Sequence, residues 1–248
     1  MIRLAGVRKS FGSKVVLDGL DLEVRLGETL AVIGQSGSGK SVLLKLLIGI
    51  LAPDAGSIVV DGVEIAGLRG AARQAMTRKF GMLFQGAALF DSMTVGENVA
   101  FGLERYADLG RDEIRRVVAD SLAKVGLHEI EHLLPHQLSG GMKKRVGLAR
   151  AIAYRPEIIL YDEPSTGIDP IRADAINELI VLLRTELRVT SLVITHDMVS
   201  AYKVADRIAL LYQGRIVALG TPEEIRRSPD AVVQQFIHGR ADGPIVNW

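Results

Sequence analysis

Short apolar runs separated by turns make up the first 35 residues and predict β-strands. Turns at Gly12-Ser13 and Gly27-Glu28 divide these runs into predicted strands at Ile2–Val7, Leu20–Leu26 and Thr29–Ile33. Apolar residues then recur at helical spacing from Lys40 to about Ile50, which predicts the first helix. A turn at residues 53–56 follows, and a small hairpin is predicted from Ser57–Val60 and Glu64–Ile65.

The pattern changes to one helix after another between about Thr94 and Arg155. A strand is predicted at Phe80–Phe84, and helices follow at Thr94–Leu103, Arg111–Val125 and Gly140–Tyr154. Strand and helix then alternate: the predictions are a strand at Glu157–Tyr161, a helix at Ile171–Leu187, a strand at Ser191–Thr195 and a hairpin of Ile208–Tyr212 with Arg215–Leu219. Residues 239–244 are too rich in helix breakers for a helix.

This order of elements predicts an α/β core that is interrupted by a helical insertion. We divide the single domain of 248 residues into a core of residues 1–88 and 156–225, a helical subdomain of residues 89–155 and a tail of residues 226–248. An insertion of roughly 60 residues is within the normal size range of a subdomain.

Composition narrows the classes of function. The chain has 30 basic and 29 acidic side chains, a balance that argues against electrostatic binding of nucleic acid. It has no cysteine, which excludes disulfides and thiolate metal sites. No apolar run approaches the roughly 18 residues that a membrane span needs, and the N-terminus does not have the pattern of a secretory signal. We therefore expect a soluble or peripheral protein whose membrane role comes through partners.

Residues 34–41 form a phosphate-binding pattern, Gly-Gln-Ser-Gly-Ser-Gly-Lys-Ser, between a predicted strand and a predicted helix. Glycines allow backbone N–H groups to approach phosphate oxygens closely, and the helix N-terminus adds its positive dipole end. Lys40 is expected to reach the β- and γ-phosphates, and Ser41 to contact Mg²⁺. The predicted nucleotide-binding residues are Gly34, Gln35, Ser36, Gly37, Ser38, Gly39, Lys40, Ser41 and Val42.

Polar residues at the ends of three other apolar strands are candidates for the metal and the attacking water. Asp162 is expected to hold Mg²⁺ through the water shell of the ion. Successive side chains on a strand point in opposite directions, so Glu163 should point away from Asp162, towards an attacking water, and is expected to act as general base. His196 is expected to contact the γ-phosphate, and Gln85 to reach Mg²⁺ and the water. Without further context, each of these residues has a plainer interpretation. Asp162 and Glu163 could form a solvated strand end, His196 could be a surface or capping residue, and Gln85 could be a polar residue in a turn.

A second helix N-terminus carries Leu138, Ser139, Gly140, Gly141 and Met142. Its serine and bare backbone amides suit anionic oxygen in the same way as the phosphate loop. One nucleotide needs only one phosphate loop, so a second phosphate-binding terminus indicates that each chain supplies half of another chain's site.

Together these motifs resemble the ATPases of ABC transporters over about residues 1–225. The order and rough spacing of the phosphate loop, Gln85, residues 138–141, Asp162-Glu163, Ser165–Asp169 and His196 match that family. The resemblance implies a P-loop NTPase (RecA-like) core, an inserted α-helical subdomain and an N-terminal antiparallel β subdomain. It also implies a head-to-tail dimer in which two ATP molecules lie between the phosphate loop of one copy and the Leu138–Met142 signature of the other.

The resemblance assigns further roles and shows two departures. Phe11 matches the aromatic residue that stacks on adenine, and Asp169 lies in the D-loop, which crosses the dimer. Met142 replaces the usual Gln of the signature, and Ile168 replaces a usual Leu. Neither departure affects the phosphate-binding atoms.

Three classes of function are weighed for such a chain. They are a transporter ATPase that works with separate membrane subunits, a soluble ABC protein that acts on ribosomes or DNA, and a P-loop protein that uses nucleotide as a switch. One ATPase domain, no coiled coil and almost no net charge favour the transporter. Glu163 and His196 favour hydrolysis, since a simple binder does not need them.

Residues 39–49, 81–90, 138–150, 162–170 and 235–244 resemble one branch, the Mla (maintenance of lipid asymmetry) and Mce-associated phospholipid transporters. This resemblance implies phospholipid movement between inner and outer membranes. It also implies peripheral attachment to the cytoplasmic face of the bacterial inner membrane. The partners implied are a second copy, permease subunits, an Mce-domain protein and a small regulatory subunit, without nucleic acid. The alternative is an importer of amino acids or another small solute.

Two apolar segments are candidates for contacts with partners. Leu89 and Phe90 are expected to divide between the subdomain core and a groove for a coupling helix of the permease. In the tail, Phe236, Ile237 and Trp248 are expected to pack on a neighbouring ATPase or a regulatory partner. The alternative for the tail is a frayed terminus.

Overall fold

The computed structural model describes residues 1–246, except the side chain of Tyr106. Trp248, which the tail hypothesis includes, lies outside the described residues. The chain divides into two compact units. The first unit contains Met1–Arg73 and Leu192–Trp248, and the second contains Gln74–Ser191.

Ten strands and nine helices are assigned in the described part of the chain. The strands are β1 (Ile2–Phe11), β2 (Lys14–Val24), β3 (Thr29–Ile33), β4 (Ala55–Val60), β5 (Val63–Glu64), β6 (Phe80–Leu83), β7 (Ile158–Asp162), β8 (Thr190–Thr195), β9 (Arg207–Tyr212) and β10 (Arg215–Gly220). The helices are α1 (Lys40–Leu47), α2 (Gly70–Arg78), α3 (Val95–Tyr106), α4 (Arg111–Lys124), α5 (Gly140–Ile152), α6 (Pro170–Leu187), α7 (Met198–Val204), α8 (Pro222–Arg226) and α9 (Ala231–Ile237).

In the first unit, an antiparallel sheet has the strand order β2-β1-β4-β5. The first strand is longer than its alternation of apolar residues predicts. Its buried residues Ile2 and Leu4 follow the two-residue period, but the next buried residue is Val7, three positions on. The register with β2 shifts between Leu4 and Val7, where Gly6 has a positive φ of 58°. This irregularity turns the Val7 side chain to the same buried face as Ile2 and Leu4, so the strand continues to Phe11.

A second set of strands in the first unit has the order β10-β9-β3-β8. β3 runs parallel to β9, and all five of its residues are buried, as expected for a central parallel strand. Residues 34–39 connect the carboxyl end of β3 to α1. The phosphate-binding pattern thus lies between a buried strand and a helix, as the sequence predicts.

In the second unit, β6 pairs in parallel with β7, and the helices α3, α4 and α5 pack on one another. α5 also packs against β6. A side chain at Gly81 of β6 would collide with the Ala151 carbonyl oxygen. Glycine at this position therefore allows the helix to approach the strand closely.

Four helices were not predicted from the sequence. α2 has only one buried residue, Met76, so it has no apolar stripe for periodicity to detect. α7, α8 and α9 are only 5 to 7 residues long, too short for a repeated pattern. These helices are defined by packing and by N-caps such as Asp197 and Asp230 rather than by periodicity.

The tail packs on the first unit's own core through α9, and Ile245 beyond it is also buried. Val233 of α9 is fully buried, and Phe236 and Ile237 are partly buried against the same cluster, which includes Ile208 and Leu210. Beyond the helix, the Gln235 amide bonds both the N–H and the carbonyl of Ile245. The frayed-terminus alternative is therefore wrong for the described residues, and contact with a partner stays a prediction.

Asn98 connects α3 to the loop before it. Its side chain is fully buried and accepts a hydrogen bond from Phe90 N at 2.8 Å. Its amide nitrogen lies 3.0–3.1 Å from the carbonyl oxygens of Phe90, Met93 and Thr94. One side chain thus satisfies several buried backbone groups of the loop.

We predict that Asn98→Ala lowers the free energy of unfolding by about 2–4 kcal/mol, because it leaves these backbone groups without a partner and adds a cavity. Urea unfolding followed by circular dichroism measures the change. Glu104→Gln, an exposed change on the same helix, is the control and should stay within about 0.5 kcal/mol of wild type. A loss below about 1 kcal/mol for Asn98→Ala would show that water or other groups replace the amide.

Candidate functional site

The phosphate loop lies in close contact with two neighbouring strands of the first unit. A Cβ atom at Gly34 would collide with the carbonyl oxygen of Leu211 in β9. At Gly39, where φ is 105°, a Cβ atom would lie 2.9 Å from Leu17 Cδ2 of β2. Glycine is therefore required twice, which is the property that allows a backbone to approach phosphate oxygens.

Lys40 is buried at the start of α1, and its ammonium bends back over the loop. The Nζ atom donates to the carbonyls of Gly34 at 2.6 Å and Gln35 at 2.8 Å. Ser36, Gly37 and Ser41 are exposed around it, whereas Gln35, Ser38 and Val42 are half-buried. A charged donor in a ring of backbone groups with an open face suits a phosphate chain.

His196 lies on the same unit, directly after β8, and is exposed. It lines a cavity of about 780 Å³ together with the phosphate-loop residues Gln35 and Ser36. The rest of the lining comes from the tail: Gln235, Phe236, Gly239, Arg240, Ala241, Ile245 and Val246. The structure thus brings the predicted histidine to the phosphate loop, and it adds tail residues that the sequence did not suggest there.

Phe11 lies at the end of β1, opposite Lys14 of β2. Its ring is 48% exposed, which leaves a face open for a flat ligand. Lys9 Nζ lies 5.6 Å from the ring centroid. Since β2 of the same hairpin contacts Gly39, the hairpin places this aromatic ring on the unit that carries the phosphate loop.

In the second unit, the signature residues cap α5. Ser139 is exposed, and its hydroxyl accepts a hydrogen bond from Met142 N at 3.3 Å. Leu138 is buried and anchors the turn. Gly140 and Gly141 lie beside the D-loop segment, because Cβ atoms added there would be 3.8 Å from Ile168 and 3.5 Å from Arg172. The signature and the D-loop are thus neighbours within one chain.

Asp169 has a structural role that the sequence reasoning did not include. It is the N-cap of α6 and accepts from Arg172 N at 3.1 Å. Its carboxylate also forms an ion pair with the Arg172 guanidinium at 3.2 Å. Asp169 is nevertheless exposed, so the cap leaves it open to a partner.

Glu163 follows Asp162 at the end of β7 and is held in an unusual conformation. Its φ is 49°, in the left-handed region that is uncommon for a residue with a side chain. Thr166 stabilises the turn: its N–H donates to the Glu163 carbonyl, and its hydroxyl donates to Glu163 Oε2, both at 3.2 Å. Strain of this kind is typical of functional positions.

Lys144 connects two of the predicted site residues. It is buried in α5, and its Nζ atom donates to the carbonyl of Gln85 at 2.9 Å and to that of Glu163 at 3.3 Å. Burial lowers the pKa of this ammonium, while the carboxylates of Glu163 and Asp162 act in the opposite direction. The sequence reasoning missed Lys144. The signal was its place on the apolar face of a helix, at spacings of three and four from Gly141 and Leu148.

The loop after Gln85 is also held by α5. Gln85 is exposed, and Ala87 and Ala88 both have positive φ, 61° and 46°. The Arg150 guanidinium donates to both of their carbonyls at 2.7 Å. Burial lowers the pKa of Arg150. The loop conformation therefore depends on two cationic side chains of the signature helix.

The two apolar residues that follow the loop differ in exposure. Leu89 is half-buried, whereas Phe90 is 42% exposed and packs on Phe101 with ring centroids 4.6 Å apart. Their division between core and docking groove stays a prediction.

Among residues 1–246, no group of three or more His, Cys, Asp or Glu side chains is arranged to hold a metal ion. None of the described helices has the length and apolar character of a membrane span.

Comparison with known proteins places the chain. A family model described as ABC transporter matches residues 17–166. The intermembrane phospholipid transport system ATP-binding protein MlaF of Haemophilus influenzae is 41% identical, over 94% of this chain and 89% of that protein. The probable ribonucleotide transport ATP-binding protein mkl of Mycobacterium tuberculosis is also 41% identical, over 98% of this chain and 68% of that protein.

A solved structure is similar over most of the chain. It is a dimeric, post-hydrolysis state of the ATP-binding cassette MJ0796 bound to ADP and Pi. The TM-score is 0.82 at 30% identity, covering 90% of this chain and 99% of that one. The predictions of a P-loop NTPase fold, of ATP binding and of ATP hydrolysis are confirmed. The chain belongs to the ABC transporter family, as one of its ATP-hydrolysing subunits.

Proposed function

We propose that the chain powers the movement of phospholipid between inner and outer bacterial membranes. The observation that carries this proposal is the 41% identity to the Haemophilus influenzae protein, which is named for intermembrane phospholipid transport. The similarity extends over 89% of that protein, so it includes more than the ATP-binding motifs. In this proposal the chain lies on the cytoplasmic face of the inner membrane. Its partners are permease subunits, an Mce-domain protein and a small regulatory subunit.

The working form in this proposal is a head-to-tail dimer. Each ATP lies between the phosphate loop of one copy and residues 138–142 of the other. The dimeric state of the similar cassette MJ0796 supports this arrangement. The exposed N-terminus of the 13-residue α5 supports it as well, since its backbone amides and Ser139 suit anionic oxygen. Residues 89–155 act as the helical subdomain that carries this signature.

The donor set proposed for Mg²⁺ consists of oxygen atoms alone: the Ser41 hydroxyl, the Gln85 amide and the Asp162 carboxylate. Such hard ligands suit Mg²⁺, which keeps several waters and is usually held by one or two carboxylates together with substrate phosphates. When bound, the metal neutralises charge on the β- and γ-phosphates.

The protein's part in hydrolysis is to position groups and to neutralise charge. Lys40 contacts the β- and γ-phosphates, and Phe11 stacks on adenine. Glu163 accepts a proton from the attacking water, and His196 orients that water and contacts the γ-phosphate. Asp169 senses the opposite site. ATP joins two surfaces that each present positive dipole ends, so hydrolysis and phosphate loss allow the dimer to open.

We predict that Glu163→Gln leaves ATP binding within about two-fold of wild type and lowers turnover by at least about 100-fold, because the amide cannot accept the proton. Phosphate release and binding of a fluorescent ATP analogue measure the two quantities. Glu157→Gln, just before the same strand, is the control and should keep wild-type turnover. Turnover of Glu163→Gln within a few-fold of wild type would show that Glu163 is not the base.

A second prediction tests the shared site. Ser139→Arg should abolish hydrolysis without weakening nucleotide binding to the monomer, since Ser139 acts on the nucleotide of the other copy. Equilibrium binding at low protein concentration and turnover at high concentration separate the two effects. Arg substitution at Ser92, which is exposed in the same unit, is the control for added charge. Full activity of Ser139→Arg would exclude the shared-site arrangement.

A second cargo has an observation in its favour. The Mycobacterium tuberculosis relative, equally identical to this chain, is named for ribonucleotide transport. Because the ATP chemistry is the same for any cargo, the partners rather than the ATPase site distinguish the two proposals.

Purification of the tagged chain from native membranes in mild detergent, with mass spectrometry of proteins and lipids, tests the cargo. We expect a permease, an Mce-domain protein and bound phospholipid. The Glu163→Gln chain, which we expect to stay closed on ATP, should retain the same partners. A permease with a soluble solute-binding protein would replace the phospholipid proposal with import of a small solute. Co-purified ribonucleotides other than ATP and ADP, which the ATPase itself binds, would favour the second cargo.

A further inference from the structure

The second unit contains a buried cation between two functional loops. The Lys144 ammonium lies 2.9 Å from the carbonyl oxygen of Gln85 and 3.3 Å from that of Glu163. Lys144 is only 5% exposed. A buried ammonium is costly unless its hydrogen bonds are made, so these two carbonyls hold it and it holds them.

The backbone conformations of both loops need stabilising contacts from other residues. Glu163 has a φ of 49°, and the loop after Gln85 contains Ala87 and Ala88 at φ 61° and 46°. Residues with a Cβ atom in this region raise the conformational free energy, and they persist only where the surroundings stabilise them. The neighbouring contacts of Thr166 restrain the Glu163 side chain but do not reach Gln85. The Arg150 guanidinium holds the carbonyls of Ala87 and Ala88, and the Lys144 ammonium donates to one carbonyl of each loop.

We propose that Lys144 is a positioning residue, which holds the backbone of Gln85 and that of Glu163 at a fixed separation for ATP hydrolysis. The proposal rests on the roles proposed above for those two residues. Lys144 acts through them, since it donates to their backbone carbonyls. It lies on the helix whose N-terminus carries Ser139, so the same helix presents the signature and sets the two loops.

This arrangement has a kinetic consequence. Gln85 and Glu163 are both proposed to contact the attacking water, and a displacement of about 1 Å is enough to cost about 100-fold in rate. The phosphate loop, which binds ATP, lies in the other unit and makes no use of Lys144 in this proposal. Loss of the ammonium should therefore lower kcat and leave the KM for ATP nearly unchanged.

The test compares Lys144→Met and Lys144→Gln in the full chain. Methionine keeps the buried volume and removes every donor, whereas glutamine keeps two N–H donors on a side chain one bond shorter. We expect kcat to fall about 10- to 100-fold in Lys144→Met with KM within about two-fold. We expect the kcat of Lys144→Gln to be at least about three-fold higher than that of Lys144→Met. Lys124→Met, which removes an exposed lysine from α4, should keep wild-type kcat.

A double-mutant cycle separates positioning from simple packing. Gln85→Ala keeps the carbonyl but removes the amide that Lys144 positions, so Lys144→Met should lower kcat less in that background than in wild type. Equal losses in both backgrounds, equal kcat for the Met and Gln variants, or a wild-type kcat in Lys144→Met would each overturn the proposal. If Lys144→Met does not fold, Lys144→Gln combined with Gln85→Ala gives the same cycle.

Failure of the Lys144 proposal can be distinguished from failure of the hydrolytic roles proposed for Gln85 and Glu163. Those roles fail if Glu163→Gln keeps its turnover. The Lys144 proposal fails if Glu163→Gln loses turnover while Lys144→Met retains it.

Discussion

The close approach of backbone to backbone at the phosphate loop is the constraint on which the first unit depends. At Gly34 there is no room for a Cβ atom beside the Leu211 carbonyl, and at Gly39 there is none beside Leu17. These contacts determine where β9 and the β1–β2 hairpin lie relative to the loop, and with them the position of Phe11. Lys40 bends over the same loop and bonds its carbonyls. A larger residue at either glycine would displace strands as well as the loop, so the site and the fold share one requirement.

The second unit depends instead on buried polar side chains that satisfy loop backbone. Lys144 and Arg150 of α5 bond the carbonyls of Gln85, Ala87 and Ala88, and Asn98 of α3 bonds those before its helix. Two residues in these loops, Ala87 and Ala88, have positive φ although they carry side chains. The hydrogen bonds offset this strain, because an unbonded buried carbonyl costs free energy of its own. Irregular loops of this kind are where side chains can be aimed at a ligand rather than at a core.

The chemistry of the chain and its cargo are separate questions. ATP binding and hydrolysis follow from the family to which the chain belongs and from groups that the chain carries itself. The cargo depends on membrane partners, and relatives of equal identity are named for phospholipid and for ribonucleotide transport. The ATP-dependent opening and closing of a dimer that we propose suits either cargo. Contacts with those partners are predicted at Phe90 and at the tail.

The sequence by itself determined the order of the strands and of five of the nine described helices, the phosphate loop and the residues proposed for the site. These depend on local properties: apolar periodicity, glycine, and polar residues at strand ends. Only the tertiary structure decided that Lys144 and Arg150 hold the Gln85 loop, that Glu163 is strained, that Asp169 caps α6, and that the tail lines a cavity with His196. Each of these involves residues brought together by packing, and four of the helices were too short or too exposed for periodicity to detect. The spacing of residues along the sequence predicts local structure and motifs. Contacts between residues that are distant in sequence depend on the free energy of the whole packed chain, which spacing does not predict.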